Sequence, residues 1–319
     1  MSRLNPVPLE LDLDGYTSRP LRREDADALV RLMHAYERLH LGRPFIELAD
    51  IEADWQRPSV DLAFGSVGVF AGEDLVASAE VSSRRAEVYV HPDHCGLGLG
   101  TALIAWTEQV AERKRAAEPS DRDRLVGQTV PVSDTGALAL FARRGYLLGH
   151  TSWVLRLPDD VELAPVPLPE GVVIRAAQPA EYAAVWQVVE DAFNEWPNRE
   201  PNSFEDWSAE VVRRPGFEPW QLLVAADGSQ IVGACFVLLN DDKESWVQQL
   251  AVRRDSRGLG LGRALLTEAG RVTRERGAGL LELNTDSRTG ALGLYEHVGM
   301  VVTDTFEHWD LPTEPNGSD

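Results

Sequence analysis

Across residues 263–276 the apolar side chains Ala264, Leu265, Ala269 and Val272 fall on one side of a helical wheel. Gly277 stands where such a helix stops. Upstream the pattern changes to strands. Residues 221–226 and 231–239 are apolar and β-branched, and Asp227-Gly228 between them predicts a hairpin. Residues 246–252 predict a further strand. If it is regular, Glu244 and Trp246 share a face with Gln248 and Leu250, because strand side chains alternate. Downstream, residues 280–283 read as a short strand, 290–298 as a helix stopped by Gly299, and 301–311 as a final strand. Strands and helices in this order predict an α+β fold with a mixed, mostly antiparallel sheet flanked by helices.

The same pattern occurs twice. Ser18-Arg19-Pro20-Leu21 leads into an amphipathic stretch, and Ile174-Arg175-Ala176-Ala177 does so 156 residues later. Residues 90–103, with Gly96, Gly98 and Gly100, return 162 residues on as 252–265, with Gly258, Gly260 and Gly262. Thr135-Gly136-Ala137-Leu138-Ala139-Leu140-Phe141 returns after 154 residues as Thr289-Gly290-Ala291-Leu292-Gly293-Leu294-Tyr295. Repetition over about half the chain predicts two tandem domains. Residues 157–171 hold Pro158, Pro165, Pro167 and Pro169, a density that continues neither helix nor central strand. They read as a semi-rigid linker between domains at 1–156 and 172–319. Residues 118–124 read as an extra loop of the first half.

Composition narrows the chemistry. With 51 acidic against 31 basic residues, the net charge is −20. Nucleic acid needs a basic face and is a poor partner, whereas cationic substrates such as amines are favoured. No apolar run approaches the roughly 20 residues that cross a bilayer, and the N-terminus lacks a signal-peptide pattern. A cytoplasmic protein without membrane attachment is therefore expected. Cys95 and Cys235 lie in different halves and the histidines are scattered, so no metal site is expected.

The segment Arg257-Gly258-Leu259-Gly260-Leu261-Gly262, set between strand and helix, is built to hold an anion. Glycines admit a close approach, free amides at the helix start point at the ligand, and Arg257 and Arg263 add charged donors. A dinucleotide fingerprint fails because Arg263 or Leu265 falls at its last glycine, and the Gly-Lys-Ser/Thr of a P-loop is absent. Arg-x-x-Gly-x-Gly does fit, with Arg257, Gly260 and Gly262. Together with Leu250-x-Val252 before it and Ala291-Leu-x-Leu294-Tyr295-x-x-x-Gly299 after it, the motif resembles the pyrophosphate loop of the GNAT acetyltransferases. The resemblance covers residues 18–156 and 172–311, once per half. It implies two tandem GNAT folds and acetyl-CoA as donor. It also implies that Leu250, Ala251 and Val252 line the pantetheine arm and that the amides of Gly258, Leu259, Gly260, Leu261, Gly262 and Arg263 hold the pyrophosphate.

The family transfers acetyl by direct attack of an amine, with a base for the amine and an acid for the thiolate. Tyr295 stands where the family often places the acid, and phenol and thiol have similar pKa values. The first half has Phe141 there and Cys95 in place of Arg257, which implies a degenerate domain. A nucleophilic Cys95 lacks any partner beyond His94. For the base, Glu244 and Glu195 both remain candidates. Trp196, Trp207, Trp220 and Trp246 either line an acceptor pocket or pack the core. The tandem layout and Pro169-Glu170-Gly171-Val172-Val173-Ile174-Arg175 resemble the mycothiol synthase type, which acetylates the cysteinyl amine of a pseudodisaccharide with its C-terminal domain. Trp246 and Leu283 stand where that type implies an acid and a tyrosine, and these departures bear on the acceptor. The expectation is a small-molecule N-acetyltransferase, monomeric or homodimeric. A peptide N-acetyltransferase and a non-catalytic coenzyme A-binding module are the alternatives.

Overall fold

The arginine that ends the first strand of each repeat is a tie. In a computed structural model describing residues 5–82, 84–117, 124–158, 161, 164–196, 199, 201–240 and 242–313, strand β1 is Tyr16–Arg19 and helix α1 is Ala26–Leu41. The two Nη groups of Arg19 donate to Asp25 at 2.6 and 2.8 Å, and the amide of Arg22 donates to the same carboxylate at 2.8 Å. Arg175 does the same for Glu181 at 2.8 and 2.7 Å, and the amide of Gln178 joins it at 2.8 Å. One acid thus satisfies a free amide at the helix entrance and fixes the strand end by a two-pronged ion pair.

The remaining elements of the first half are α2 Leu48–Trp55, α3 Leu62–Gly65, β2 Ser66–Ala71, β3 Asp74–Ser82, β4 Arg85–Val90, α4 Leu99–Ala117, β5 Arg124–Pro131, α5 Thr135–Arg143 and β6 Leu147–Leu157. The second half has β7 Val172–Ala176, α6 Tyr182–Phe193, α7 Phe204–Glu210, β8 Leu222–Asp227, β9 Gln230–Leu239, β10 Glu244–Val252, α8 Leu261–Arg274, β11 Leu280–Asp286, α9 Leu292–His297 and β12 Val301–Pro312. This is the expected α+β pattern, repeated. Among the described residues no helix is long and apolar enough to cross a membrane.

Two compact units form, and their limits are not those of the repeats. One comprises residues 1–151 with 306–319, the other residues 152–305. In the first unit β1, β2, β3 and β4 pair antiparallel in turn, β4 and β5 are parallel, and β5 pairs antiparallel with Phe306–Pro312 of β12. The second unit repeats the scheme with β7, β8, β9 and β10 antiparallel, β10 and β11 parallel, and β11 antiparallel to Ser152–Leu157 of β6. Each closing strand therefore follows one repeat in sequence and completes the sheet of the other unit. The boundary drawn from the prolines misses this exchange. Of the proline-rich stretch, residues 159, 160, 162 and 163 lie outside the described residues, as do 118–123 of the extra loop. Val161 and Leu168 pack on the core of the second unit, so this stretch is more than a spacer.

Both faces of each sheet are covered. In the second unit one face carries α8 and α9 over Leu265, Leu283 and Val298, and the other carries α6 and α7 over Val185, Trp207 and Phe236.

Candidate active site

The candidate site lies where β10 and β11 part. Their parallel ladder runs from Glu244 opposite Leu280 to Val247 opposite Leu283 and then ends. At the same point the pairing of β10 with β9 slips: Val247 faces Val237, but Gln249, not Gln248, faces Phe236. Gln248 is the extra residue of a β-bulge, which leaves it outside the ladder and bends the strand. Splayed strands with a bulge at their fork leave backbone groups free on the inner edge of β10.

The bulge also corrects the expected alternation. After it, Leu250 and Val252 join Val247 on the α8–α9 face, opposite Cys235 and Gly233. Ala251 turns to the α6 face. Glu244 therefore does not share a face with Leu250; with Trp246 it looks toward α6, and exposed Gln248 belongs to neither row.

Beyond β10 the glycine loop leads into α8 through two left-handed turns. Gly258 and Gly260 have φ of +79° and +78°, a conformation in which a Cβ costs about 1–2 kcal/mol. The first amide of α8 with a helical partner is that of Ala264, bonded to the carbonyl of Gly260 at 2.9 Å. Among the described residues the amides of Gly258, Leu259, Gly260, Leu261, Gly262 and Arg263 have no backbone acceptor. Leu261 is buried and anchors the loop, Leu259 points outward, and Arg263 is exposed on the first turn. A cation there opposes the helix dipole unless an anion is held between them.

Tyr295, on α9, lies buried against the face that carries Cys235 and Leu250. Among the described residues its hydroxyl has no hydrogen-bond partner. Burial pushes it up to about 12, with a small contribution from Cys235. Burial pushes the Cys235 thiol up to about 12 as well. Glu195 is not where a base would stand. Its carboxylate takes both Nη groups of Arg257, at 2.8 and 3.0 Å, and this ion pair holds Glu195 below the usual carboxylate range. Trp207 is a core residue, its Nε1 donating to Gln249 Oε1 at 3.1 Å. Trp220 lies under Arg276, with the guanidinium 4.1 Å from the ring centroid. Trp196 stacks on Phe193 and, like Trp246, is only partly buried.

A family model, the acetyltransferase (GNAT) family, matches residues 29–146 and again 182–300. The chain belongs to the GNAT acetyltransferase family. As an N-acetyltransferase it is 30% identical over 308 residues to the mycothiol acetyltransferase of Sanguibacter keddieii, covering 90% of this chain and 93% of that one. Among solved structures, a GCN5-related N-acetyltransferase from Sphaerobacter thermophilus superposes with a TM-score of 0.74 at 30% identity, covering 95% of this chain and 97% of that one. A tandem GNAT protein from the clavulanic acid biosynthesis pathway superposes with a TM-score of 0.67, covering 95% and 100%. Its identity is 17%, so that likeness bears on the fold alone.

The first unit repeats this scaffold with other side chains at the matching places. Gly96 and Gly98 keep φ of +80° and +87°. β4, however, pairs with β3 in unbroken register from Arg85 to Val90, with no bulge. Phe141 is buried without a hydroxyl, and the Cys95 thiol donates to the carbonyl of His91 at 3.7 Å. Tyr36 donates to Asp134 at 2.9 Å, and His40 stands 3.8 Å from the same carboxylate, so α1 is tied to the turn before α5. Sequence reading missed the bulge and the place of Cys235 beside Tyr295. The signal for the bulge is the polar doublet Gln248-Gln249 inside an apolar strand.

Proposed function

We propose that the second unit transfers acetyl from acetyl-CoA to the primary amine of a small molecule by direct attack. The observation that carries this is the fork: the bulge at Gln248 coincides with the end of the β10–β11 ladder, and Tyr295 lies on one face of it. The glycine-loop amides with Arg257 and Arg263 hold the pyrophosphate, and the edge of β10 at Leu250, Ala251 and Val252 lies along the pantetheine. The thioester then reaches the fork, where the amide at the bulge donates to its carbonyl. The amine nitrogen attacks that carbon, the C–S bond breaks, and the electron pair leaves on sulfur. Tyr295 gives its proton to the thiolate. Phenol and thiol have similar pKa values in water, and burial raises both.

The amine's proton goes to Glu244 through water. Val247 is three steps along the strand from Glu244, about 10 Å, too far for direct contact. The net charge of −20 favours an ammonium-bearing acceptor. The likeness to a mycothiol acetyltransferase makes the cysteinyl amine of that pathway's pseudodisaccharide the first acceptor to try.

Calorimetric titration with acetyl-CoA tests the reading. One site is expected in the wild type and none in Gly260→Asp, which places a carboxylate in the anion cradle. Two sites, one surviving the substitution, mean that the first unit also binds. Binding without turnover of any amine supports a non-catalytic coenzyme A module, and no binding overturns the proposal.

A further inference from the structure

Arg257 opens the loop that an anion is to enter, yet its guanidinium already holds a carboxylate. Both Nη groups engage Glu195, and Nε donates to the carbonyl of Val252 at 3.1 Å. Glu195 projects from the turn that follows α6. That turn is organised by buried Glu190, which accepts from Arg199 at 2.7 and 2.8 Å, from the Asn194 side chain at 3.2 Å and from the Asn202 amide at 2.8 Å. The next residue, Trp196, has the Arg288 guanidinium 5.8 Å from its ring centroid. Arg257 follows β10 and Arg288 follows β11, so a single turn touches both strand ends beyond the fork.

The first unit forms the same fold with Cys95 in place of Arg257, so the fold does not require the pair. Carboxylate and phosphate compete for the same guanidinium donors in the same planar geometry. Arg257 and Glu195 are 42% and 39% exposed, and exposed pairs of this kind are weak enough for a phosphate to displace.

We propose that Glu195 is a built-in competitor for the donor's pyrophosphate: it occupies Arg257 in the free protein and is displaced when acetyl-CoA enters. Seating the donor thereby frees the Glu195 carboxylate, while Glu190 still holds the turn that carries Trp196. The inference rests on the second unit being the acetyl-CoA site.

The test is calorimetry with acetyl-CoA on the full chain. Glu195→Gln and Glu195→Ala are expected to bind acetyl-CoA about two- to fivefold more tightly than wild type. Arg257→Leu binds more weakly, and adding Glu195→Gln to it changes nothing further. A purely structural role predicts the opposite sign, weaker binding once the turn loses its anchor. Unchanged or weaker affinity in both Glu195 variants overturns the inference while leaving the donor site standing. A wild type that binds no acetyl-CoA overturns the functional reading itself.

Discussion

Gly98 and Gly260 occupy matching places in the two glycine loops, with φ of +87° and +78°. An alanine at either position must adopt the left-handed conformation, at a cost of about 1–2 kcal/mol. Around Gly98 a Cβ would meet nothing within 4 Å, and at Gly260 it would meet Val166 at 3.3 Å, a contact that yields with a small shift. The structural damage is therefore similar. For a unit of about 150 residues it lowers the melting temperature by roughly 2–8 °C. The functional damage should not be similar. If the loop of the second unit holds the pyrophosphate, displacing even one of its amides removes a charge-assisted hydrogen bond of about 1.5 kcal/mol, or roughly tenfold in affinity. Thermal melts and acetyl-CoA titrations on Gly98→Ala and Gly260→Ala separate the two effects. Both proteins should melt lower, and only Gly260→Ala should bind acetyl-CoA more weakly. Equal losses of affinity would place a working donor site in the first unit. A destabilised Gly260→Ala with undiminished affinity would refute the loop as the cradle.

Tyr295→Phe should lower kcat about 100-fold and leave acetyl-CoA affinity within twofold, as read by steady-state kinetics and calorimetry. Because burial raises Tyr295 to about 12, its neutral form persists through pH 10. The wild-type rate should then show no alkaline limb that disappears in the variant. Glu244→Gln should reduce kcat about tenfold; a kcat equal to wild type removes Glu244 from the mechanism. In the first unit, burial raises the Glu80 carboxyl to about 8 despite a hydrogen bond from Trp55 Nε1 at 3.0 Å. A carboxyl with a raised folded pKa favours folding below its unfolded value of about 4.5, and that contribution is lost as pH rises through 8. The full shift sets an upper bound of roughly 5 kcal/mol. Melts between pH 5 and 9 should therefore show Glu80→Gln more stable than wild type at pH 8.5 and equal to it near pH 5.

Local chemistry made much of this legible from sequence. The hairpin between β8 and β9, helix α8 and the closing strand β12 stand within a few residues of their expected places, because turn glycines and apolar periodicity act over short distances. α8 begins earlier than its apolar stripe suggests, at Leu261, because Gly260 starts it from a left-handed turn. The repeated arginines Arg19 and Arg175 find their acids only six residues away. Arg257 finds Glu195 across 62 residues, and no periodicity reports such a pair. Glu195, offered as a base, becomes an ion-pair partner for that reason. The bulge was hidden because the strand pattern was read as regular, and one extra residue at Gln248 moved Leu250 to the face opposite Glu244.

The exchange of closing strands was illegible for a deeper reason, and it yields the most exacting test. Alternation along a strand tells which side chains are buried and says nothing about which partner the backbone takes. A fragment cut at the prolines, residues 172–319, would leave out β6. β11 would then lose its antiparallel partner along Leu281–Asp286. Leu155 and Leu157, 0% and 2% exposed in the intact chain, would be missing from the core, at about 1.5–3 kcal/mol each. Glu282, whose side chain is 3% exposed, would also lose its ion pair with Arg156 at 2.9 Å. Together these losses reach into the 5–15 kcal/mol that holds an ordinary domain folded. The fragment 152–305 keeps the β6 pairing, both leucines and Arg156, and it contains Arg257, Gly260 and Tyr295. It should melt cooperatively by circular dichroism and bind acetyl-CoA, whereas 172–319 should be unfolded or aggregate along the bare edge of β11. A cooperative melt of 172–319 at the temperature of 152–305 would show that the repeat, and not the contact unit, is the folding unit.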